Sequence, residues 1–196
     1  MYCIHKITLN PTVDFAAEEL KKYLRMMMPR CGEVAIDYDA KATNGFRLGL
    51  MQDFGLDISD AEKPDLDDIV YVETDAEGGI IAGSNPGALL IAVYRYLRHQ
   101  GCRWLFPGVD GEYIPMQDVK PTKYHKMADC RYRGQCNEGA EIQGNMMEAI
   151  DFTPKIGLNI FMQEFDNPKA YYDNYYNHKF NKNREPEPVS EETVLQ

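Results

Sequence analysis

The stretch D68-IVYVETDAEGGIIAGSNPGALLIAVYRYLRHQ-G101 decides the fold class, because it holds two kinds of periodicity back to back. Ile69 to Thr74 is rich in β-branched residues and reads as a strand. "DAEGG" supplies a turn with glycine where positive φ is needed, and Ile80 to Gly83 returns as the second strand of a hairpin. Ser84 or Asn85 then caps a helix with Pro86 in its first turn. Leu89, Ala92, Val93, Tyr96 and Leu97 recur at helical spacing to form an apolar side. Arg95, Arg98 and His99 sit near the C-terminal end, where cations are favoured, and Gly101 closes the helix. The glycine turn of "GSNPG" is neither G-x-G-x-x-G nor a Walker sequence with its lysine, so a capped helix is preferred over a phosphate site.

Working outward, Cys3 to Leu9 reads as an opening strand and Thr12 to Met28 as an amphipathic helix. Ala16, Ala17, Leu20, Leu24 and Met27 share one face of that helix, which Pro29 and Gly32 bring to an end. Phe46 to Met51 is a short strand, and the acidic segment 52–68 is a surface excursion. After the second helix, "CRWLF" and "GEYIP" are short strands around the turn "PGVDG". Residues 1–121 thus form one α/β unit with a small mixed or antiparallel sheet and packed helices. From 122 to 196 the pattern changes. "MADCRYRGQC" reads as a strand, "NMMEAIDFTPKIG" as a helix that Pro154 should kink or shorten, and "LNIFMQEF" as a buried strand. Strand, helix, strand is the βαβ unit of a parallel sheet.

Bulk composition narrows the function. The 196 residues are 44% hydrophobic and 27% charged, which suits a packed core and argues against wholesale disorder. Lys and Arg total 21 against 31 Asp and Glu, a formal net charge of −10, which disfavours nucleic acid as a partner. No apolar run reaches the roughly 18 residues of a membrane span, and the N-terminal residues lack signal-peptide features, so a cytoplasmic chain is expected. The five cysteines are odd in number and widely spaced, which predicts reduced, mostly structural thiols. Neither His99 with Cys102 nor Cys130 with Cys136 completes a zinc ligand set, and no metal or cofactor is expected.

The ordered set "AAEELKKYL", "GGIIAGSNPGALLIAVYRYLRHQGCRWLFPG", "GEYIP", "YRG" and "KIGLNIF" resembles the front end of large glycoside hydrolases. It is most similar to the N-terminal domain of the alpha-glucuronidase (family 67) group and its uncharacterised relatives. More distantly, it is similar to the domain preceding the barrel in beta-hexosaminidases (family 20). The resemblance spans roughly Cys3 to Phe165. It implies a non-catalytic first domain followed by the start of a (β/α)8 barrel, truncated here after its first βαβ portion. By position, 131–135 becomes the first barrel strand, 145–156 the first barrel helix and 158–164 the second strand. The catalytic carboxylates of such hydrolases come from later strands, so the resemblance places no catalytic residue in this chain. It implies a carbohydrate substrate for the full-length protein and a sugar-holding role for Arg133, with Gln163 and Glu164 as further substrate-binding candidates. A structural ion pair is the alternative for Arg133. Arg103, Trp104, Phe106 and Tyr113 are read as lying at the interface of the small domain with the barrel, or in Trp104's case as core.

Two other readings stand beside this one. The chain is a self-contained carbohydrate-binding or interaction module, with the tyrosines of 171–176 as an aromatic platform. Or it is a small enzyme using His99, Cys102 and Asp110, which requires nucleophile and base to meet in space. A truncated barrel would also leave the strand at 158–165 with an open edge, inviting self-association.

Overall fold

The computed structural model describes residues 2–137 and 146–163. It is an α/β fold built around a six-stranded mixed sheet and three helices. The strands of that sheet are β1 (Tyr2–Lys6), β2 (Val34–Tyr38), β3 (Phe46–Leu50), β4 (Ile69–Thr74), β5 (Gly79–Gly83) and β8 (Thr122–Met127). Their spatial order is β2-β1-β3-β5-β4-β8. Neighbours are parallel from β2 through β5, and β4 is antiparallel to both of its neighbours.

Helix α1 (Pro11–Met27) begins at Asn10, whose side chain accepts from the Thr12 N–H, and helix α2 (Pro86–His99) begins at Asn85, which accepts from the Ala88 N–H. Both start on proline, whose missing N–H is not needed there. The helices pack on each other and on one face of the sheet. Val13, Ala16, Leu20 and Leu24 of α1 and Leu89, Ala92, Val93 and Tyr96 of α2 meet Ile4, Val34, Phe46, Leu48, Val72 and Ile81 in one buried cluster. Gly83 permits the close approach of α2 to β5, since a Cβ there would lie 2.1 Å from the Leu89 nitrogen.

Period-two alternation sends the intervening residues to the opposite face. Over β4 and β5 that face is covered by the acidic excursion: Met51, Ile69 and Ala82 form a second small core with Phe54, Leu56, Ile58 and Ala61. The polar segment 52–68 is therefore a sheet cover rather than only a surface loop.

Two elements correct the expectations. Residues 34–38 form β2, which the sequence reading left without an element although "VAIDY" pairs in full register with β1. The strand expected across "MADCRYRGQC" is two strands. β8 ends at Met127 and extends the first sheet past Pro121, and β9 (Gly134–Asn137) starts only after an irregular stretch. Phe46–Leu50 and Ile69–Thr74 fall where the patterns put them, and β4 pairs antiparallel with β5. The hairpin β6 (Arg103–Trp104) and β7 (Glu112–Tyr113) holds the short strands around "PGVDG". Last, helix α3 (Met146–Lys155) and strand β10 (Ile160–Gln163) follow β9, and β9 and β10 pair in parallel. Pro154 stands in the last turn of α3, and Gly157, at positive φ, follows it.

Candidate functional site

The densest polar constellation lies where the βαβ unit meets the N-terminal end of α2. Asp67 and Asp68 precede β4, and both side chains are buried. Arg131 grips Asp67 with two bonds, Nε to Oδ1 at 2.6 Å and Nη2 to Oδ2 at 3.1 Å. This bidentate match suits a planar guanidinium. The hydrogen bonds from Arg131, with backbone donors from Lys63 and Glu62, hold the Asp67 carboxyl below its ordinary value. Asp68 accepts from Asn85 Nδ2 on Oδ1 (3.0 Å), and from Arg133 Nη2 (2.6 Å) and Asn159 Nδ2 (2.9 Å) on Oδ2. One carboxylate thus joins the cap of α2 to both strand ends of the βαβ unit. The adjoining groove, about 430 Å3, is lined by Arg95, Tyr124, Lys126, Asp129 and Arg133.

Arg133 is built into this junction. Its Nε donates to the Gly157 carbonyl at 2.9 Å, its Nη1 to the Cys130 carbonyl at 2.7 Å, and its Nη2 to Asp68. The sequence reading put the strand at 131–135, with Arg133 inside it. Because β9 begins at Gly134, Arg133 instead stands before the strand's first residue. Gln163 is the last residue of β10, and Glu164 lies outside the described residues.

A second junction lies on the helix side. Trp104 is 7% exposed and packs edge-on against Tyr23 and Tyr94, with centroids at 5.2 and 5.3 Å. Its Nε1 donates to the Tyr23 hydroxyl (3.1 Å), which donates to Glu112 Oε1 (2.6 Å). Lys155 of α3, also buried, reaches the same Glu112 oxygen at 3.0 Å and also pairs with Asp151. Burial alone would raise the Glu112 carboxyl, but the bonds from Tyr23 and Lys155 outweigh it and the pKa is lowered. Burial would likewise lower Lys155, yet its bonds to Asp151 and Glu112 leave it raised.

Of the four residues read as interface, Trp104 is core. Phe106 and Tyr113 are 51% and 60% exposed, at the outer end of the hairpin beside Leu105 at 71%. Arg103 is tied back by its Nη1 to the Arg98 and Cys102 carbonyls.

Other candidates separate in space. Cys102 is buried against Met27 Sδ at 3.7 Å, and burial pushes its thiol up to about 12. His99 instead faces the Tyr124 ring, so no nucleophile and base meet there. The N-terminus of α2 is closed by Asn85, with Asp68 bonded to the capping side chain, which leaves no welcome for an anion.

The site that sequence reasoning missed is on the face of the sheet opposite α1 and α2, at the β2 edge. Cys3, His5 and Asp37 converge there, with their donor atoms within 4.8 Å of one another. The signal was the i, i+2 spacing of Cys3 and His5 on one strand; the third member was hidden because β2 had not been read.

No helix among the described residues is long and apolar enough to cross a membrane. No family model matches the chain, and no curated protein matches it.

Proposed function

We propose that the chain is the N-terminal, non-catalytic portion of a glycoside hydrolase of the alpha-glucuronidase-like kind, carrying the first βαβ portion of a barrel. The observation that carries this reading is the parallel pairing of β9 with β10 across α3, as a separate two-stranded sheet beside the six-stranded layer. A lone parallel pair with one helix covers neither of its faces fully, and further βα units are what such a unit builds on. The resemblance of the ordered segments supplies the chemical class.

Barrel chemistry is drawn from the C-terminal ends of strands. Gln163 ends β10 and so keeps its candidacy for substrate contact, as does Glu164 next to it in sequence. Arg133 stands at the opposite end of β9, bonded to Asp68, and its proposed role is to fasten the barrel's start to the first layer. That role replaces sugar binding as the preferred reading of this residue.

On this reading the chemistry lies in later barrel strands. Aryl glycosides and aryl glucuronides incubated with the 196-residue chain should release no phenol. The coding sequence beyond Gln196 should add six βα repeats bearing two inward carboxylates. Turnover by the short chain, or a natural stop immediately after Gln196, would overturn the proposal.

A further inference from the structure

We propose that Cys3, His5 and Asp37 form a three-ligand site for a zinc-type divalent cation at the β1–β2 edge of the sheet. The inference is independent of the hydrolase reading. Cys3 and His5 are two apart on β1 and therefore share a face, and parallel register places Asp37 of β2 directly beside His5. Cys3 Sγ lies 3.8 Å from His5 Nδ1 and 3.9 Å from Asp37 Oδ2, and His5 Nδ1 is 2.6 Å from Asp37 Oδ1. In a tetrahedral zinc site, bonds of about 2.3 Å to sulfur and about 2.0 Å to nitrogen and oxygen separate the ligand atoms by roughly 3.3–3.6 Å. The two sulfur distances are already close to this. The His5–Asp37 contact must open, by roughly 0.7 Å on the same bond lengths, and the carboxylate must turn so that one of its oxygens faces both other ligands. The Asp37 side chain is 51% exposed and free to make that adjustment.

Convergence on one ring nitrogen separates this cluster from a hydrolytic triad. In a triad the thiol and the carboxylate use opposite nitrogens of the imidazole. Here both approach Nδ1, which is how ligands gather around a shared ion. The backbone supports the ring independently. Gly45 sits at φ +63° against its other edge, where a Cβ would lie 3.3 Å from Nε2 and 2.7 Å from the Cys3 carbonyl oxygen. A residue with a side chain at 45 would displace the imidazole from the orientation that aims Nδ1 at Asp37.

A thiolate, an imidazole and a carboxylate are a borderline donor set, which suits Zn2+ and, as a probe, Co2+, rather than Mg2+ or Ca2+. In the site Cys3 would bind as the thiolate and His5 through Nδ1, with the fourth position left for water. An occupied site would staple the edge strand β2 to β1.

The test uses the full 196-residue chain, stripped with chelator and titrated with Co2+ and then Zn2+. One equivalent of Co2+ should give visible bands of tetrahedral intensity and a near-ultraviolet thiolate charge-transfer band, both bleached by Zn2+. Cys3→Ser should abolish the charge-transfer band. Cys3→Ser and Asp37→Asn should each weaken Zn2+ binding by more than about 100-fold, beyond the roughly 10- to 100-fold typical of losing a supporting group. Asp37 is exposed enough that its variant keeps the fold, which circular dichroism of the apo chains checks. Absence of one-equivalent binding overturns the proposal. So does binding untouched by both variants, which would place the ion elsewhere on the chain.

Discussion

The first sheet layer and the βαβ unit are held by different forces. Beneath α1 and α2 the contacts are apolar and continuous, from Val34 at one edge through Phe46 and Ile81 to Val72. The unit of β9, α3 and β10 shows a different balance among the described residues. Met147 and Ile150 of α3 are exposed, Phe152 packs against the same core, and the buried side chains of the helix include Ala149, Thr153 and Lys155. Charge adds directional fastenings: Arg131 to Asp67, Arg133 to Asp68 and Lys155 to Glu112. Apolar burial is non-directional and tolerant of small shifts, whereas ion pairs fix position and fail when one partner is lost. A layer that must stand alone uses the first; a unit that must sit in one orientation uses the second.

The largest effect should come from the hinge between the two regimes. Trp104→Ala removes a ring packed on Tyr23 and Tyr94 and deprives the Tyr23 hydroxyl of a donor. A loss of about 3–5 kcal/mol is expected in urea unfolding, with both regions affected. A loss under about 1 kcal/mol would mean that the core tolerates the cavity, and the contrast between the regions would weaken.

Asp68→Ala should act mainly on the βαβ unit, with a local effect at the cap of α2. It leaves Arg133 Nη2 without its acceptor, at about 1–3 kcal/mol for a buried group left unpaired, while Asn159 Nδ2 and Asn85 Nδ2 each lose one of two acceptors and keep the Arg131 and Pro64 carbonyls. Hydrogen exchange should accelerate at the Asn159 and Ile160 amides, which bond to the Arg133 carbonyl, while the amides of β1 and β3 keep their protection. Uniform acceleration would show that the two regions unfold as one.

Acid should produce the same separation without mutation. Asp67, held low by Arg131, and Glu112, held low by Tyr23 and Lys155 against its burial, both have folded pKa values below their unfolded ones. Their contribution is complete above the unfolded carboxyl range near pH 4 and is lost as pH falls through the lowered folded values. Protection factors at Asn159 and Ile160 should therefore decline as pH falls below about 4, before those of β4 and β5. Loss in β4 and β5 at the same pH would contradict the division.

The same division explains what was legible in the sequence. Elements whose apolar residues repeat with a clear period, α1, α2 and the β4–β5 hairpin, stand out in the pattern, and the cap of α2 was narrowed to Ser84 or Asn85, of which the structure uses Asn85. β2 did not, because in "VAIDY" only Val34 is buried while Asp37 and Tyr38 at the end of an edge strand are exposed. β8 was hidden by its exposed lysines, which alternate with Tyr124 and follow Pro121. The candidate sites were the least legible part. Asp67 and Arg131 are 64 residues apart, and His5 and Asp37 are 32 apart. Composition names such residues but only sheet register brings them together. Arg133 was read as holding sugar, with a structural ion pair as the alternative; the structure gives it Asp68 as a partner, at a position just before the first residue of β9.

The smallest effect is expected at the outer end of the β6–β7 hairpin, and it sharpens the comparison most if the chain belongs to a longer protein. Trp104 and Phe106 are two residues apart, yet one is core and the other 51% exposed. Leu105, Val109 and Tyr113 are exposed beside it. In the 196-residue chain Phe106→Ala should change stability by no more than about 0.5 kcal/mol, as surface substitutions do. In a protein that continues past Gln196, the proposed barrel would cover this end of the hairpin, and the same substitution should then approach the roughly 3–5 kcal/mol of a buried aromatic. Urea unfolding of both lengths, each with and without Phe106→Ala, isolates the difference, since any effect within the first layer cancels. An equally small effect in the longer protein would leave the hairpin's apolar end facing solvent and remove it from the interface.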